Sequence, residues 1–167
     1  MPTATYIALA NLTLTTTDSE VVFSSIPASF RDLVLVVTSS VGDTGAPGGT
    51  ARNLLMRFNS DTTNHYTKVI MSGDGTTARA LSDTQEWVTL DWYAHSNNGI
   101  HDHIAHIMDY SATDKHKTTL ARARSTNATE ALVSRWPSTN AITSISVFYS
   151  SNTLASGSTF ALYGIVS

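Results

Sequence analysis

Residues 32–40 read DLVLVVTSS, and this stretch decides the fold class. Its near-continuous apolar run is typical of a strand that is buried on both faces. Turn-forming sequence bounds it on either side. The preceding segment 20–27 (EVVFSSIP) is a short strand that ends at Pro27, which cannot donate to a β-ladder. The following segment 41–51 (VGDTGAPGGTA) predicts a long, exposed loop.

Similar short segments fill the rest of the chain, separated by turns rich in Gly, Pro, Asn and Ser. Residues 86–93 (EWVTLDWY) alternate strictly, as a half-buried strand does. Residues 52–58 (RNLLMRF) could present a short helical face, but their place between turns favours a strand. About eleven short strands without a helix predict one all-β domain over 1–167, an antiparallel β-sandwich or barrel. The remaining predicted strands are 5–14, 65–75, 100–110, 117–125, 130–137, 141–151 and 160–166.

Composition narrows the classes of partner. Charged residues make up 14% of the chain, and the net charge is −3 with ten scattered basic residues. Because no basic stripe forms, we expect no nucleic-acid ligand. The chain contains no cysteine, which excludes disulfides and thiolate metal sites. No signal peptide and no apolar run of about 18 residues is found, so we expect no membrane association. We also expect no cofactor.

Three histidines and two aspartates lie within residues 99–110 (GIHDHIAHIMDY). In a strand, His101 and His103 share one face and His106 points the other way. One strand therefore cannot bring three imidazoles to one ion. We expect no metal site and interpret the segment as a solvent-facing or interface strand, where histidines can act as pH-sensitive contacts. A site built on His101 and His103 stays open only if a further ligand reaches them, namely His95, His116 or a carboxylate.

Other signs of catalysis are sparse. Asp43 lies in an Asp-Thr-Gly triplet, the signature of aspartic proteases, but its Gly-rich surroundings indicate a turn. Asp91, Asp102 and Asp109 are the carboxylates that a glycosidase could use, and we interpret them as surface residues. The sequence therefore predicts no catalytic residue and no enzyme.

Aromatic residues offer a possible sugar-binding platform. Trp87 shares its predicted face with Thr89 and Asp91, so it is the better surface candidate, followed by Tyr93. Trp92 and Trp136 are expected to fill the core or subunit contacts, where aromatic rings bring a large buried area.

Several segments together resemble a family of small virion proteins of tailed bacteriophages. They are TYIALANLTL (5–14), VVFSSIPASFRDLVLVV (21–37), RFNSDTTNHY (57–66), AITSISVFYSS (141–151) and, most distinctively, GSTFALYGI (157–165). The resemblance spans nearly the whole chain, except that the histidine-rich centre matches less well. It implies a jelly-roll β-sandwich that assembles on a phage particle as a capsid decoration (cement) protein or as part of a tail or fibre, often as a trimer. It supplies no catalytic residue.

We therefore expect a non-enzymatic virion protein, made in the host bacterial cytoplasm, that binds the major capsid protein as a homotrimer. The few charges on the predicted edge strands favour a partner that covers at least one edge. Residues 1–6 and 41–51 are candidates for contacts outside the sandwich. Two alternatives stay open: a receptor- or carbohydrate-binding module of a fibre, using Trp87 or Tyr93, and an enzyme that uses the histidines or Asp43.

Overall fold

The computed structural model describes residues 5–42, 52–92, 99–124 and 128–166, and these residues form strands, turns and bends without a helix. The strands within this part of the chain are β1 (Tyr6–Thr13), β2 (Glu20–Phe23), β3 (Asp32–Ser39), β4 (Val41–Gly42), β5 (Leu54–Phe58), β6 (Tyr66–Gly73), β7 (Ala78–Gln85), β8 (Val88–Thr89), β9 (His101–Met108), β10 (Lys117–Arg124), β11 (Thr129–Trp136), β12 (Ile145–Tyr149), β13 (Thr153–Leu154) and β14 (Thr159–Ile165).

Two antiparallel sheets form the sandwich. The larger sheet has the strand order β1-β14-β3-β9-β10-β11-β6-β7, and the smaller has the order β2-β12-β5-β8. The short strands β4 and β13 pair with each other. One apolar core with side chains from both sheets lies between them.

The connectivity is that of a jelly roll. The strands β1, β2, β3, β5, β8, β9, β12 and β14 can be counted one to eight along the chain. The first half of the larger sheet then has the order 1-8-3-6, and the smaller sheet has the order 2-7-4-5. This order arises when a long hairpin folds over into two facing sheets. The strands β10, β11, β6 and β7 extend the larger sheet beyond this unit, and the predicted jelly-roll sandwich is confirmed.

The segment that indicated the fold differs from its prediction in one respect. Leu33, Leu35 and Val37 of β3 are fully buried between the sheets, whereas Val34 and Val36 are only half-buried. The second sheet covers only the inner face of β3, so the prediction of burial on both faces was wrong. Val34 and Val36 show that apolar side chains also lie on the outer face of the larger sheet.

Two other segments were also interpreted incorrectly. The strand β7 was missed because its sequence, ARALSDTQ, has few large apolar residues; it is an edge strand with mostly exposed side chains. The predicted strand 86–93 is reduced to Val88–Thr89. Thr89 and Asp91, expected on its surface face, are buried, and the backbone N–H of Leu54 donates to both carboxylate oxygens of Asp91.

Residues that carry the resemblance have structural roles. In the closing segment, Gly157 adopts a positive φ of 86° at a turn, and Phe160 and Leu162 enter the core. A Cβ at Gly164 would overlap the ring of Phe30, so this strand position requires a glycine. In the element 57–66, Asn59 accepts hydrogen bonds from the backbone N–H groups of residues 143 and 144.

Candidate interaction surface

The histidines of β9 divide between its two faces as their spacing predicted, but not as solvent-facing groups. His101 and His103 are each 1% exposed and point between the sheets, whereas His106 is half-buried on the outer face. Asp91 is fully buried, and its Oδ2 lies 2.5 Å from His103 Nε2. This buried pair ties β9 to the segment that follows β8. The surface roles expected for these two histidines and for Asp91 were therefore wrong.

A carboxylate does reach His103, as a two-histidine metal site would require. Asp91, however, also accepts the backbone N–H of Leu54, which occupies its oxygens. His116 is exposed, and His95 lies outside the described residues. Within the described ranges, no group of three or more histidine or carboxylate side chains is arranged to hold a metal ion. His101 and His103 thus act here as buried polar groups of the sandwich.

Other buried polar side chains form hydrogen bonds that connect the two sheets. Lys68 Nζ donates to Thr89 Oγ1 at 3.0 Å, and burial lowers the pKa of Lys68. The backbone N–H of Trp92 donates to Glu130 Oε2 at 2.5 Å. These bonds connect β6 and β11 of the larger sheet with the chain at and after β8 of the smaller sheet.

The tryptophans have separate environments. Trp136 is buried, and its ring lies 5.6 Å from that of Phe58, as expected for a core residue. Trp92 is half-buried against the core. Trp87 is half-exposed beside a depression of about 230 Å³, with the Arg57 guanidinium 5.9 Å from its ring centroid. Tyr93 lies outside the described residues, as do Asp43 and the rest of residues 43–51. The first two residues of the predicted exposed loop 41–51 are instead the buried strand β4.

The outer face of the larger sheet carries a cluster of large apolar side chains. The strand register places Leu120 of β10 opposite Val133 of β11, and Val133 opposite Val69 of β6. Met71 lies two residues further along β6. These four side chains are 43% to 59% exposed. We call them the face patch: Val69, Met71, Leu120 and Val133.

Two arginines flank the face patch. Arg122 follows Leu120 on the outer face of β10, and Arg135 follows Val133 on that of β11; both are exposed. Neither forms an ion pair with any residue in the described part of the chain. By contrast, Arg124 at the end of β10 binds Asp102 at 2.7 Å. The face patch is therefore apolar with an unneutralised positive rim.

Further apolar side chains lie on the side of the sandwich where β1 and β2 are the edges of their sheets. A groove of about 380 Å³ runs between these strands and is lined by residues 8–10 and 22–27 together with Leu162. The sequence of β1 contains no charged residue, whereas β7 at the other edge of the larger sheet contains Arg79 and Asp83, so only one of these two edges has the expected lack of charge. Four apolar side chains of β1 and β2 are 40% to 57% exposed, namely Tyr6, Ile7, Leu12 and Val22. They do not form one patch: Val22 borders this groove, whereas Tyr6 borders a depression of about 510 Å³ on the outer face of the larger sheet, together with Leu120 and Arg122.

Two carboxylates lie near Val22. Glu20 shares the exposed face of β2 with Val22, and Asp18 precedes it in an exposed turn. Neither takes part in an ion pair within the described ranges. The exposed face of β2 therefore carries negative charge, whereas the rim of the face patch is positive.

The sequence did contain a signal for the face patch that we did not use. Residues 69–71 are three consecutive apolar residues, Val-Ile-Met, within a strand, and Leu132 is followed directly by Val133. Since neighbouring residues of a strand point to opposite faces, such runs place apolar groups on both faces. Only the sheet order shows that the outward members of three strands meet.

Comparisons with known proteins add little. No family model matches the chain, and no curated protein matches it. It is similar to the marine PL-14 alginate lyase from Aplysia kurodai, with 10% identity and a TM-score of 0.35 over 84% of this chain and 70% of that one. It is also similar to a mutant of the alginate lyase Aly36B bound to an alginate tetrasaccharide, with 7% identity and a TM-score of 0.28 over 96% and 73% of the two chains. At these values, neither likeness supports a statement about activity.

In the described ranges, the chain forms no helix with the length and hydropathy needed to cross a membrane.

Proposed function

We propose that this protein is a non-enzymatic structural component of a tailed-phage virion, and that it binds the capsid surface as a decoration protein. The observation that carries the proposal is the exposed apolar face patch on the larger sheet of a jelly roll. Contiguous apolar surface of this kind marks sites of protein association. The sequence resemblance, and not the fold, indicates the phage particle as the place of action, because fold alone does not specify function.

The proposed partners are other copies of the chain, as a homotrimer, and the major capsid protein or another virion protein. The virion is the proposed location, after assembly in the host bacterial cytoplasm. A low content of charge favours such packing, since little charge must be desolvated when two surfaces meet. The proposal includes no cofactor, nucleic acid or membrane.

The proposal is tested by removing the gene from a phage that encodes it and purifying the particles on a density gradient. We expect wild-type particles to contain the protein in many copies, as quantified by mass spectrometry. Particles without it should lose their DNA at a lower temperature, because a cement protein bridges neighbouring shell subunits. A protein absent from wild-type particles would refute the virion role.

Trp87 supports a second candidate function, carbohydrate binding at a fibre. Its half-exposed ring borders a depression that is also lined by the polar side chains of Asn53, Asp83 and Gln85. Sugars bind to this combination of an aromatic face and hydrogen-bonding groups. A glycan array would test it: binding that Trp87→Ala abolishes would support a receptor-binding role, and an array without hits would exclude the glycans displayed.

A further inference from the structure

We infer that the outer face of the larger sheet takes up an extended segment of a different protein, and that this segment carries carboxylates next to apolar side chains. The inference deepens the proposed function, because it rests on that function for the virion as the source of the partner. It names the chemistry of the partner and the residues of this chain that select it.

The depression on this face offers an apolar floor. Its volume is about 510 Å³, and its lining includes the half-buried side chains of Val34 and Val36 from β3 and of Ile104 from β9. The register places Val36 directly opposite Ile104, so these side chains form one surface near the middle of the sheet. The exposed side chains of Tyr6 and Leu120 lie on either side of it. An apolar group seated here would remove its own surface and this floor from water, which is favourable.

The depression continues into the face patch. Leu120 belongs to both, and Ala131, which also lines the depression, lies opposite Met71. The combined surface crosses the neighbouring strands β3, β9, β10, β11 and β6. Four inter-strand steps of roughly 4.8 Å span about 19 Å, and an extended chain advances by about 3.3 Å per residue. A partner segment of about six residues would therefore cover this surface.

The carboxylates on this face are already engaged within the chain. Asp102 forms an ion pair with Arg124 at 2.7 Å. Asp32 accepts a hydrogen bond from Arg31 Nε at 2.9 Å, and its Oδ2 lies 3.2 Å from His106 Nε2. Both carboxylates therefore have cationic or hydrogen-bonding partners of their own and leave the other arginines of this face unneutralised.

Arg122 and Arg135 have no countercharge in the described part of the chain. Arg122 lines the depression, and Arg135 flanks the face patch. This face is thus locally positive on a chain whose net charge is −3. Carboxylates of a partner would supply the missing countercharges, and hydrogen bonds between guanidinium and carboxylate groups are among the strong ones. The face therefore fits an apolar segment that contains Asp or Glu.

The same charges disfavour a contact between two copies of this face. A two-fold contact would place Arg122 and Arg135 of one copy near those of the other, and like charges at an interface are unfavourable. Nucleic acid fits no better, because the two arginines border an apolar floor and do not form a basic stripe. The contacts between copies in the proposed trimer would therefore use other surfaces.

A pair of dyes tests the chemistry of this surface without the phage. Anilinonaphthalene sulfonate joins an apolar body to an anionic group, and phenylnaphthylamine is an uncharged analogue. We expect saturable fluorescence of the anionic dye on the wild type, and binding weaker by about tenfold or more for Leu120→Glu and for Arg122→Glu. The uncharged dye should respond to Leu120→Glu alone.

Two variants serve as matched controls. Val22 is 53% exposed and Leu120 is 50% exposed, but Val22 lies on the outer face of the smaller sheet. Lys115, half exposed between β9 and β10, gives the same change in net charge as Arg122 when it is replaced by glutamate. Val22→Glu and Lys115→Glu should therefore bind both dyes as the wild type does, and circular dichroism verifies that every variant is folded. A wild type without saturable binding of the anionic dye, or equal binding by all four variants, would overturn the inference.

Photo-crosslinking on particles identifies the partner. A variant in which the photoreactive residue p-benzoylphenylalanine replaces Tyr6 keeps an aromatic ring at the border of the depression. It is added to particles purified from phage without the gene and is then irradiated. We expect cross-links to a segment of a different virion protein in which mass spectrometry finds Asp or Glu beside apolar residues. The same replacement at Val22 is the control and should not reach this segment.

Three results on particles would overturn the inference. They are cross-links from the position of Tyr6 to another copy of this chain, cross-links to a segment without carboxylates, and no cross-link from a chain that binds the particles. Binding of Leu120→Glu and Arg122→Glu to the particles with wild-type affinity would also overturn it.

The two proposals fail in different ways. Absence of the protein from wild-type particles refutes the virion role, while the dyes still decide the chemistry of the surface. A protein that is abundant on particles but is cross-linked there only to its own copies refutes the inference and leaves the virion role intact.

Discussion

Asp61 shows how one residue fixes a large part of the core. Its Oδ2 accepts a hydrogen bond from Trp136 Nε1 at 2.7 Å and lies 2.8 Å from His65 Nε2. Its Oδ1 accepts a hydrogen bond from the backbone N–H of Thr63 at 2.9 Å. Trp136 in turn packs on Tyr66 with nearly parallel rings. The turn that resembles the phage family is therefore an anchor for the aromatic core.

Replacing Asp61 with asparagine should cost about 2 kcal/mol of unfolding free energy, the range for hydrogen bonds to a charged group. Burial alone would raise the pKa of Asp61, but the hydrogen bonds from Trp136, Thr63 and His65 lower it well below its ordinary value. A lowered folded-state pKa stabilises the protein above the unfolded-state pKa, near 3.9, and this contribution is lost as the pH falls further. Urea unfolding from neutral to acidic pH measures both effects. In Asp61→Asn, the part of the acid destabilisation due to this residue should disappear; an unchanged acid profile would contradict the assignment.

Gly164→Ala should destabilise the protein by about 1–3 kcal/mol, the usual cost of overpacking a core. The new methyl group would overlap the Phe30 ring, which must then move. Gly73→Ala is the control, because the nearest atom to its Cβ would be 4.0 Å away. Thermal unfolding of both variants gives the comparison, and equal stabilities would show that Phe30 adjusts without cost.

At the scale of single elements, β9 shows what the sequence could and could not reveal. Alternation correctly predicted that His101 and His103 share a face opposite His106. It could not reveal which face is inward, because Ile104 and Met108 make the outer face apolar too. The buried partner of His103 is Asp91, which follows β8. The position of that segment depends on pairing with strands that are distant in the sequence. The strand β7 was missed for a different reason: it pairs locally with the preceding strand β6, but its sequence has few large apolar residues.

The strand order itself could not be predicted from the residues. The sequence indicates short strands and their alternation, but β1 pairs with β14 from the other end of the chain. Local patterns carry no information about such a contact. The resemblance supplied the jelly roll, and the face patch emerged only from the register of three strands.

His103→Ala should cost about 3–5 kcal/mol, because removing one partner leaves the Asp91 carboxylate buried without its closest contact. His106→Ala on the same strand is the control. It loses only a half-exposed contact of 3.2 Å to Asp32, so about 1 kcal/mol or less is expected. Urea unfolding at neutral pH compares the two variants. Similar losses would show that the buried pair contributes little.

For the whole molecule, the features that support the proposed role lie on the outside of the sandwich. Its buried polar groups hold the two sheets together, while four of its exposed apolar side chains form the face patch of the larger sheet. A chain with 14% charged residues meets little electrostatic resistance when copies pack together. An exposed apolar patch on the exterior is what the proposed assembly role requires.

Cryo-electron microscopy of intact phage particles, at a resolution that separates subunits, tests the central claim most directly. We predict density for this jelly roll in groups of three on the capsid surface, with the face patch of each copy covered by a neighbouring subunit. Density at the tail or fibre tips alone would contradict the decoration role and favour receptor binding. Shells and tails without this density would contradict the account of the protein as a virion component.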